Sequence, residues 1–335
     1  MMNGLGIILI GRNEGERLKK CIASVRDSGY PVIYVDSGSH DGSASFVRSA
    51  GISVLELDTL KPMSAARARN AGFTKLIKEN PGIEFAQFID GDCEVCPGWL
   101  AAGAATLAQR PDVGIVCGRV IERHPEASVY NRMCHLEWQK EPGEIMASGG
   151  NLMARASAFK LIDGFRIDIM AGEDDEMCLR MRRSGMKVLA IADDMVLHDT
   201  AITKFSEWWK RAKRAGMAYA QGNALHGASP DKHFKRNYER SLFWAAGLPT
   251  ASLLLALPTM GLSLTAFAGY PLLMARIYKA GLAKGMSPRD ARAVAFFTVV
   301  AKSPEFMGIL HYHYRTRWQH KQMELIEFKG IKKSK

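Results

Sequence analysis

Asp90 and Asp92 stand one residue apart at the end of the apolar run FAQFIDGD, residues 85–92. An extended backbone sends alternate side chains to one side, so this spacing at a strand end can aim both carboxylates at one point. Hard divalent cations such as Mg²⁺ or Mn²⁺ take oxygen ligands and bind through a few carboxylates plus phosphate oxygens, so the pair suits a metal–diphosphate site. Asp and Gly are also ordinary residues of a turn after a strand, so the pair by itself leaves both readings open. A second acidic cluster, Glu173, Asp174, Asp175 and Glu176, opens a helix whose apolar face includes Met177, Leu179 and Met181. The unpaired N–H groups and dipole of a helix start favour anions, which offers a plain capping explanation. Four successive carboxylates nevertheless repel one another, and crowding with burial lifts the pKa of one toward the range a general base needs.

The elements that must position these residues repeat along the first half of the chain. LGIILIGRNEGERLKKCIASV, from residue 5, reads as a short apolar strand, a polar loop and an amphipathic helix, and PVIYVDSGSHDGSASFV, residues 31–47, repeats the pattern. There Val32–Val35 form a strand, Asp36 closes it, and Ser37, Gly38, Ser39, Asp41 and Gly42 make a turn that caps the next helix. A third unit has a strand at Ser53–Leu57, a helix opening at Ser64–Gly72, and the strand that ends at Asp90. Strand and helix alternating every 25–30 residues or so predict an α/β fold with a doubly wound, mostly parallel sheet. Ligands of such sheets bind beyond the carboxyl ends of the strands, which is where Asp36, Asp90 and Asp92 fall.

GRNE at 11–14, VDSGSHDGS at 35–43, ARNAG at 68–72, IDGD at 89–92 and GEDDEMCLRMRRSG at 172–185 occur in the order and at the spacing of family 2 glycosyltransferases. Over roughly residues 5–200 the chain resembles that family, of the membrane-associated bacterial surface-polysaccharide type, which implies the GT-A (nucleotide-diphospho-sugar transferase) fold and an inverting, single-displacement transfer without a covalent intermediate. The resemblance implies donor-binding roles for Arg12, Asp36, Arg69 and Asp90, with Asp36 on the base or ribose of the nucleotide and Arg69 facing the acidic cluster or the diphosphate. The family often has two aspartates in the Asp36 turn, and Ser37 in the second place leaves the nucleotide open. Asp90 and Asp92 would hold the Mn²⁺ or Mg²⁺ that bridges the phosphates, with His198 as a third metal or diphosphate ligand. Residues 148–165 would position donor sugar and acceptor; Asp174 would be the base, with Asp175 as the alternative and Glu173 orienting the loop. Residues 205–222 read as a basic helix with adjacent tryptophans, Trp208 and Trp209, of which one packs and the other meets acceptor or membrane. Its Arg211 and Arg214 read as a diphosphate contact or, more simply, a solvated basic face.

Charge divides the chain near residue 200. Residues 201–335 carry 22 Lys+Arg against 7 Asp+Glu, whereas residues 1–200 carry 23 against 27. No nucleic-acid motif accompanies the basic half, and its positive residues flank Ser241–Ala275, where 35 residues hold no Asp, Glu, Lys, Arg or His. That run exceeds one bilayer span and falls short of two plus a turn. Basic clusters on both sides (Lys232, Lys235, Arg236 and Arg240 before; Arg276, Lys279, Lys284, Arg289 and Arg292 after) favour a hairpin of two short transmembrane helices or a re-entrant loop, with both ends on the cytoplasmic side. A buried soluble helical domain is the other reading of the same run. The shorter run Ala293–Ala301 and the tail His311–Trp318 read as interfacial. The expected organisation is a catalytic domain over 1–225, a basic linker over 226–240, the hairpin over 241–283, and an amphipathic helix with a basic tail over 284–335. Cysteines at 21, 93, 96, 117, 134 and 178 form one C-x-x-C without a second pair, so a structural role is expected, and no secretory signal precedes the first strand. The expectation is a metal-dependent enzyme moving one sugar from a nucleotide-sugar donor to a lipid-linked or glycan acceptor at the cytoplasmic face of the inner membrane. A sugar nucleotidyltransferase and a non-catalytic nucleotide-binding membrane scaffold are the alternatives; the former lacks its usual glycine-rich N-terminal loop.

Overall fold

In the computed structural model, which describes residues 4–318, the chain divides into two compact units. The first comprises residues 4–125, Cys134–Ile169 and Glu173–Ala201. Its first part runs β1 (Leu5–Gly11), α1 (Glu16–Val25), β2 (Val32–Asp36), α2 (Ser43–Ser49), β3 (Ser53–Glu56), α3 (Ala65–Glu79) and β4 (Phe85–Asp90). After β5 (Cys93–Val95), α4 (Trp99–Gln109), β6 (Val113–Glu122) and α5 (Val129–Glu137) come β7 (Gly143–Glu144), β8 (Leu152–Arg155), α6 (Ala156–Leu161), α7 (Glu173–Arg183) and β9 (Lys187–His198).

The strands form one sheet in the order β3-β2-β1-β4-β8-β6-β9-β5, with β7 on β9. β3, β2, β1 and β4 are parallel, as the strand–helix alternation predicts. Beyond β4 the sheet is mixed: β8 runs antiparallel to β4 and β6, while β6 and β9 are parallel. The period of two explains why both faces are covered. Leu5, Ile7 and Leu9 of β1 enter one core with Leu18, Ile22 and Val25 of α1, and Ile8 and Ile10 enter the other with Ala66, Phe73 and Leu76 of α3. Residues 187–198 form a single strand whose pairing with β6 is irregular on both sides of Asp194.

Among the described residues, the second unit comprises Glu126–Met133, Met170–Gly172 and residues 202–318, so the helix at 205–226 belongs to this unit. It contains α8 (Phe205–His226), α9 (Lys235–Leu242), a π-helical turn (Phe243–Gly247), α10 (Leu248–Leu254), a 3₁₀ segment (Leu262–Ala268), α11 (Gly269–Ala283), α12 (Pro288–Val300) and α13 (Lys302–Trp318). α8 and α13 approach so closely that a β-carbon on Gly216 or Gly308 would collide with the facing backbone. Trp208 packs with Tyr130, Phe205 and Phe297, while Trp209 is half-buried. Arg214 donates to the Met170 carbonyl at 3.4 Å.

The charge-free segment starts inside a continuous helical run from Lys235 to Leu254, made of α9, the π-helical turn and α10, and ends in α11, 15 residues and about 22 Å long, which includes Arg276 and Lys279. The chain between them exposes its apolar side chains: Leu257 is 92% and Met260 99% accessible. Among the described residues, Pro288–Arg317 is the one helical run long and apolar enough to cross a membrane, by length and composition; Ala293–Ala301, expected as an isolated interfacial run, lies within it. Residues 319–335, including most of the expected basic tail, lie outside the described residues.

Candidate functional site

All the carboxylates singled out above belong to the first unit. The rim begins with two loops, after β1 and β2, fastened to each other. The Asn13 amide donates to Ser39 Oγ at 3.0 Å, the His40 amide to Asn13 Oδ1 at 2.8 Å, and the Gly15 amide to Asp41 Oδ2 at 3.0 Å. Asn13 takes φ 55°, a backbone region that asparagine tolerates better than most residues. Arg12 lies half-buried in the same loop.

Asp36 is 2% exposed and turned into its own turn. It accepts from the Tyr34 hydroxyl at 3.0 Å and from the amides of Gly38 and Ser39 at 3.0 and 2.7 Å. Three of about four acceptor positions of the carboxylate are thereby filled. These bonds shape the Ser37–Ser39 loop.

The centre of the site is Arg69. Ser64 caps α3 by accepting from the Arg67 amide at 3.0 Å, which places Arg69 in the second turn of that helix, 3% exposed. Its Nη2 donates to Asp90 Oδ1 at 2.7 Å and its Nη1 to Glu173 Oε1 at 3.1 Å, and the guanidinium lies 5.3 Å from the centre of the Phe165 ring. Burial opposes its charge, but Asp90, Glu173 and Asp174 outweigh burial and hold it protonated. Gly150 is shaped to this arginine, because a β-carbon there would overlap the guanidinium. Arg69 thus joins strand-end and helix-start acids that lie 83 positions apart in sequence.

Asp90 and Asp92 each meet a basic side chain. β4 ends at Asp90, and Gly91 turns the chain by donating to the Ile10 carbonyl at 2.8 Å. Asp90 faces Arg69, whereas Asp92 Oδ2 lies 3.3 Å from His198 Nε2. Burial by itself would lower the pKa of His198, but Asp92, with Asp90 and Glu122, raises it. Trp138 packs on the imidazole with ring centres 4.7 Å apart. Ligand atoms of Asp92, Cys93 and His198 lie within 4.8 Å of one another, a grouping that omits Asp90 and includes a cysteine instead.

The helix-start acids separate into different roles. Glu173 pairs with Arg69, and Glu176, 1% exposed, pairs with Arg180 at 2.8 Å, which leaves Asp174 and Asp175 half-buried between them. The Asp174 carboxylate accepts from the Asp175 amide at 3.0 Å. Burial raises the pKa of Asp174, reinforced by Glu173 and Asp175 against Arg69; burial also raises that of Asp175, against the pull of Lys140. Both carboxyls thus titrate above the ordinary aspartate range. Asn151, a residue that sequence reasoning left unnamed, accepts from the Asp90 amide at 2.9 Å and donates to Cys93 Sγ at 3.4 Å. Its signal in the sequence is only its place in SGGN at 148–151.

Comparison with known proteins bears on this geometry. The model of glycosyl transferase family 2 matches residues 7–163, and that of glycosyl transferase family group 2 matches residues 87–279, more than half of the chain. The glycosyltransferase AglE of Haloferax volcanii is 26% identical over 230 residues, 65% of this chain and 73% of the relative. The pre-mycofactocin glycosyltransferase of Mycobacterium tuberculosis is 25% identical over 242 residues, 68% of this chain, which spans about half (48%) of that relative's length. A mannosyltransferase of Pyrobaculum calidifontis, solved with GDP-Man and Mn²⁺, superposes with a TM-score of 0.61 at 18% identity, covering 96% of this chain and 89% of that one.

Proposed function

The chain belongs to glycosyl transferase family group 2 and is a glycosyltransferase, and from that premise we propose that it moves one sugar from a nucleotide-sugar donor to a hydroxyl of a lipid-linked or glycan acceptor, with a divalent cation, at a cytoplasmic membrane face. The observation that carries the reading is the arrangement at the carboxyl edge: Arg69 bridging Asp90 and Glu173, with the Asp92–His198 pair and the half-buried Asp174 in the same unit. Family membership sets aside the nucleotidyltransferase and scaffold alternatives.

Asp92 and His198, whose ligand atoms already lie 3.3 Å apart, suit a divalent cation, Mn²⁺ or Mg²⁺, with Asp90 beside them. When bound, such a cation neutralises charge on the departing nucleoside diphosphate. Arg69 holds Asp90 and Glu173 in place and adds positive charge behind the diphosphate. The loops fastened by Asn13 and Asp41, shaped by Asp36 and including Arg12, take the nucleoside. Asp174 removes the proton of the acceptor hydroxyl as its oxygen attacks the anomeric carbon from the face opposite the leaving diphosphate, which inverts the configuration; Asp175 is the alternative base. In the second unit, the exposed apolar loop around Leu257 and Met260, flanked by basic clusters, dips into a lipid leaflet without crossing it. Release of nucleoside diphosphate from a panel of nucleotide sugars with Mn²⁺ or Mg²⁺ tests the reading: one donor is cleaved by the wild type and none by Asp174→Asn. Equal cleavage by both proteins refutes the assignment of the base.

A further inference from the structure

Cys93 borders the acidic pair, and the sugar transfer makes no use of it. β5 and β9 pair antiparallel with Cys93 directly opposite His198, a register that puts both side chains on one face of the sheet with β-carbons about 5 Å apart. Asp92 immediately precedes β5 and meets both: its Oδ2 lies 3.3 Å from His198 Nε2 and its Oδ1 3.6 Å from Cys93 Sγ. One ligand atom from each residue falls within 4.8 Å of the other two, close enough for a single cation to draw in all three. The sulfur is fully buried and held from behind by the Asn151 amide at 3.4 Å, so it forms the floor of the site while Asp92 and His198, with side chains 11% and 19% exposed, form its walls.

Carboxylate oxygen suits Mg²⁺ and Mn²⁺, imidazole suits zinc-class ions, and thiolate selects zinc-class ions strongly. We infer that Asp92, Cys93 and His198 form a second cation-binding mode of this site, one that takes thiophilic divalent ions through oxygen, sulfur and nitrogen and competes with the hard cation used for transfer. The inference rests on the metal reading of Asp92 and His198 given above. Binding in this mode displaces the thiol proton of Cys93 to solvent, and Asp90 stays with Arg69 and takes no part.

Co²⁺, Cd²⁺, Zn²⁺ and Mn²⁺, added singly to the full-length protein, are the probes. Co²⁺ is expected to give a thiolate-to-metal charge-transfer band that saturates at one ion per chain, disappears in Cys93→Ala and His198→Ala, and persists in Cys96→Ala. Cd²⁺ affinity falls about 100-fold or more in Cys93→Ala, while Mn²⁺ affinity, followed by electron paramagnetic resonance, changes less than about threefold. X-ray absorption of the Zn²⁺-loaded wild type, which needs no variant, is expected to show one sulfur neighbour at about 2.3 Å. A shell of oxygen and nitrogen alone, or a band that survives Cys93→Ala, overturns the sulfur mode while Mn²⁺ binding leaves the metal reading standing. Failure to bind Mn²⁺ and Co²⁺ alike overturns both.

Discussion

Replacing Arg69 by alanine is the most informative perturbation of the site, because this one side chain holds two acids in place. The substitution leaves the Glu173 carboxylate, 11% exposed, and the Asp90 carboxylate, 31% exposed, without their shared cation, and it removes the packing on Phe165. Removing one partner of a buried pair costs about 3–5 kcal/mol, chiefly through the charge left behind. Glu173 carries the larger part, since water reaches Asp90 and recovers some of its hydration. For a unit of this size each kcal/mol lowers the thermal midpoint by about 2–4 °C, so a fall of roughly 6–20 °C is expected. Arg69→Lys keeps the charge but not the fork of donors that reaches both acids, and an intermediate loss of about 1–3 kcal/mol is expected. The assay is urea unfolding followed by tryptophan fluorescence, for which Trp99, buried in the core of the same unit, is the reporter. A double-mutant cycle with Glu173→Gln isolates one arm of the bridge, with a coupling in the upper part of the roughly 0.5–3 kcal/mol range of contacting residues. A loss below about 1 kcal/mol in Arg69→Ala, or additivity in the cycle, would refute the bridging role.

Gly150→Ala forces a methyl into the space of the Arg69 guanidinium and is expected to cost about 1–3 kcal/mol, with donor binding weakened in parallel; an unchanged unfolding midpoint would show that the loop yields freely. The carboxyl of Asp174 is raised by burial and by Glu173 and Asp175, so an active base requires its deprotonation, and the rate should rise with pH on a limb lying well above the ~3.9 of an ordinary aspartate. The same shift sets the sign for stability: a carboxyl whose folded pKa exceeds its unfolded one costs stability above the folded value and none below the unfolded one. Asp174→Asn should therefore raise the thermal midpoint at about pH 8 and leave it unchanged at about pH 3, measured by scanning calorimetry. Leu257→Glu with Met260→Glu removes two exposed apolar side chains, each worth about 1.5–3 kcal/mol on burial, and should release the protein from anionic vesicles in a flotation assay without changing its unfolding midpoint.

Much of the catalytic unit was legible in the sequence because local rules and tertiary structure agree there. The apolar strands that end at Asp36 and Asp90, and Ser64 before the α3 helix, occur as the periodicity and capping rules require. What escaped was set by register and by contacts distant in sequence. No spacing rule reveals that Asp90 meets Arg69 while Asp92 meets His198. Asn151 and Cys93 enter only through the pairing of β5 with β9 and the passage of the 148–151 loop beside β4. In the second unit, composition identified Ser241–Ala275 as free of charge, but it did not show that the segment's first part continues α9 through a π-helical turn, or that a 3₁₀ segment follows Gly261.

Calorimetric titration of the protein with UDP and with GDP, with and without Mn²⁺, tests the central claim most directly when wild type is compared with Asp92→Ala. The account predicts that one of the nucleotides binds the wild type in the presence of the cation, and that both removal of Mn²⁺ and the loss of Asp92 weaken that binding severalfold or more. Binding that is equally tight without Mn²⁺ and in Asp92→Ala would contradict a metal–diphosphate site at this edge of the sheet.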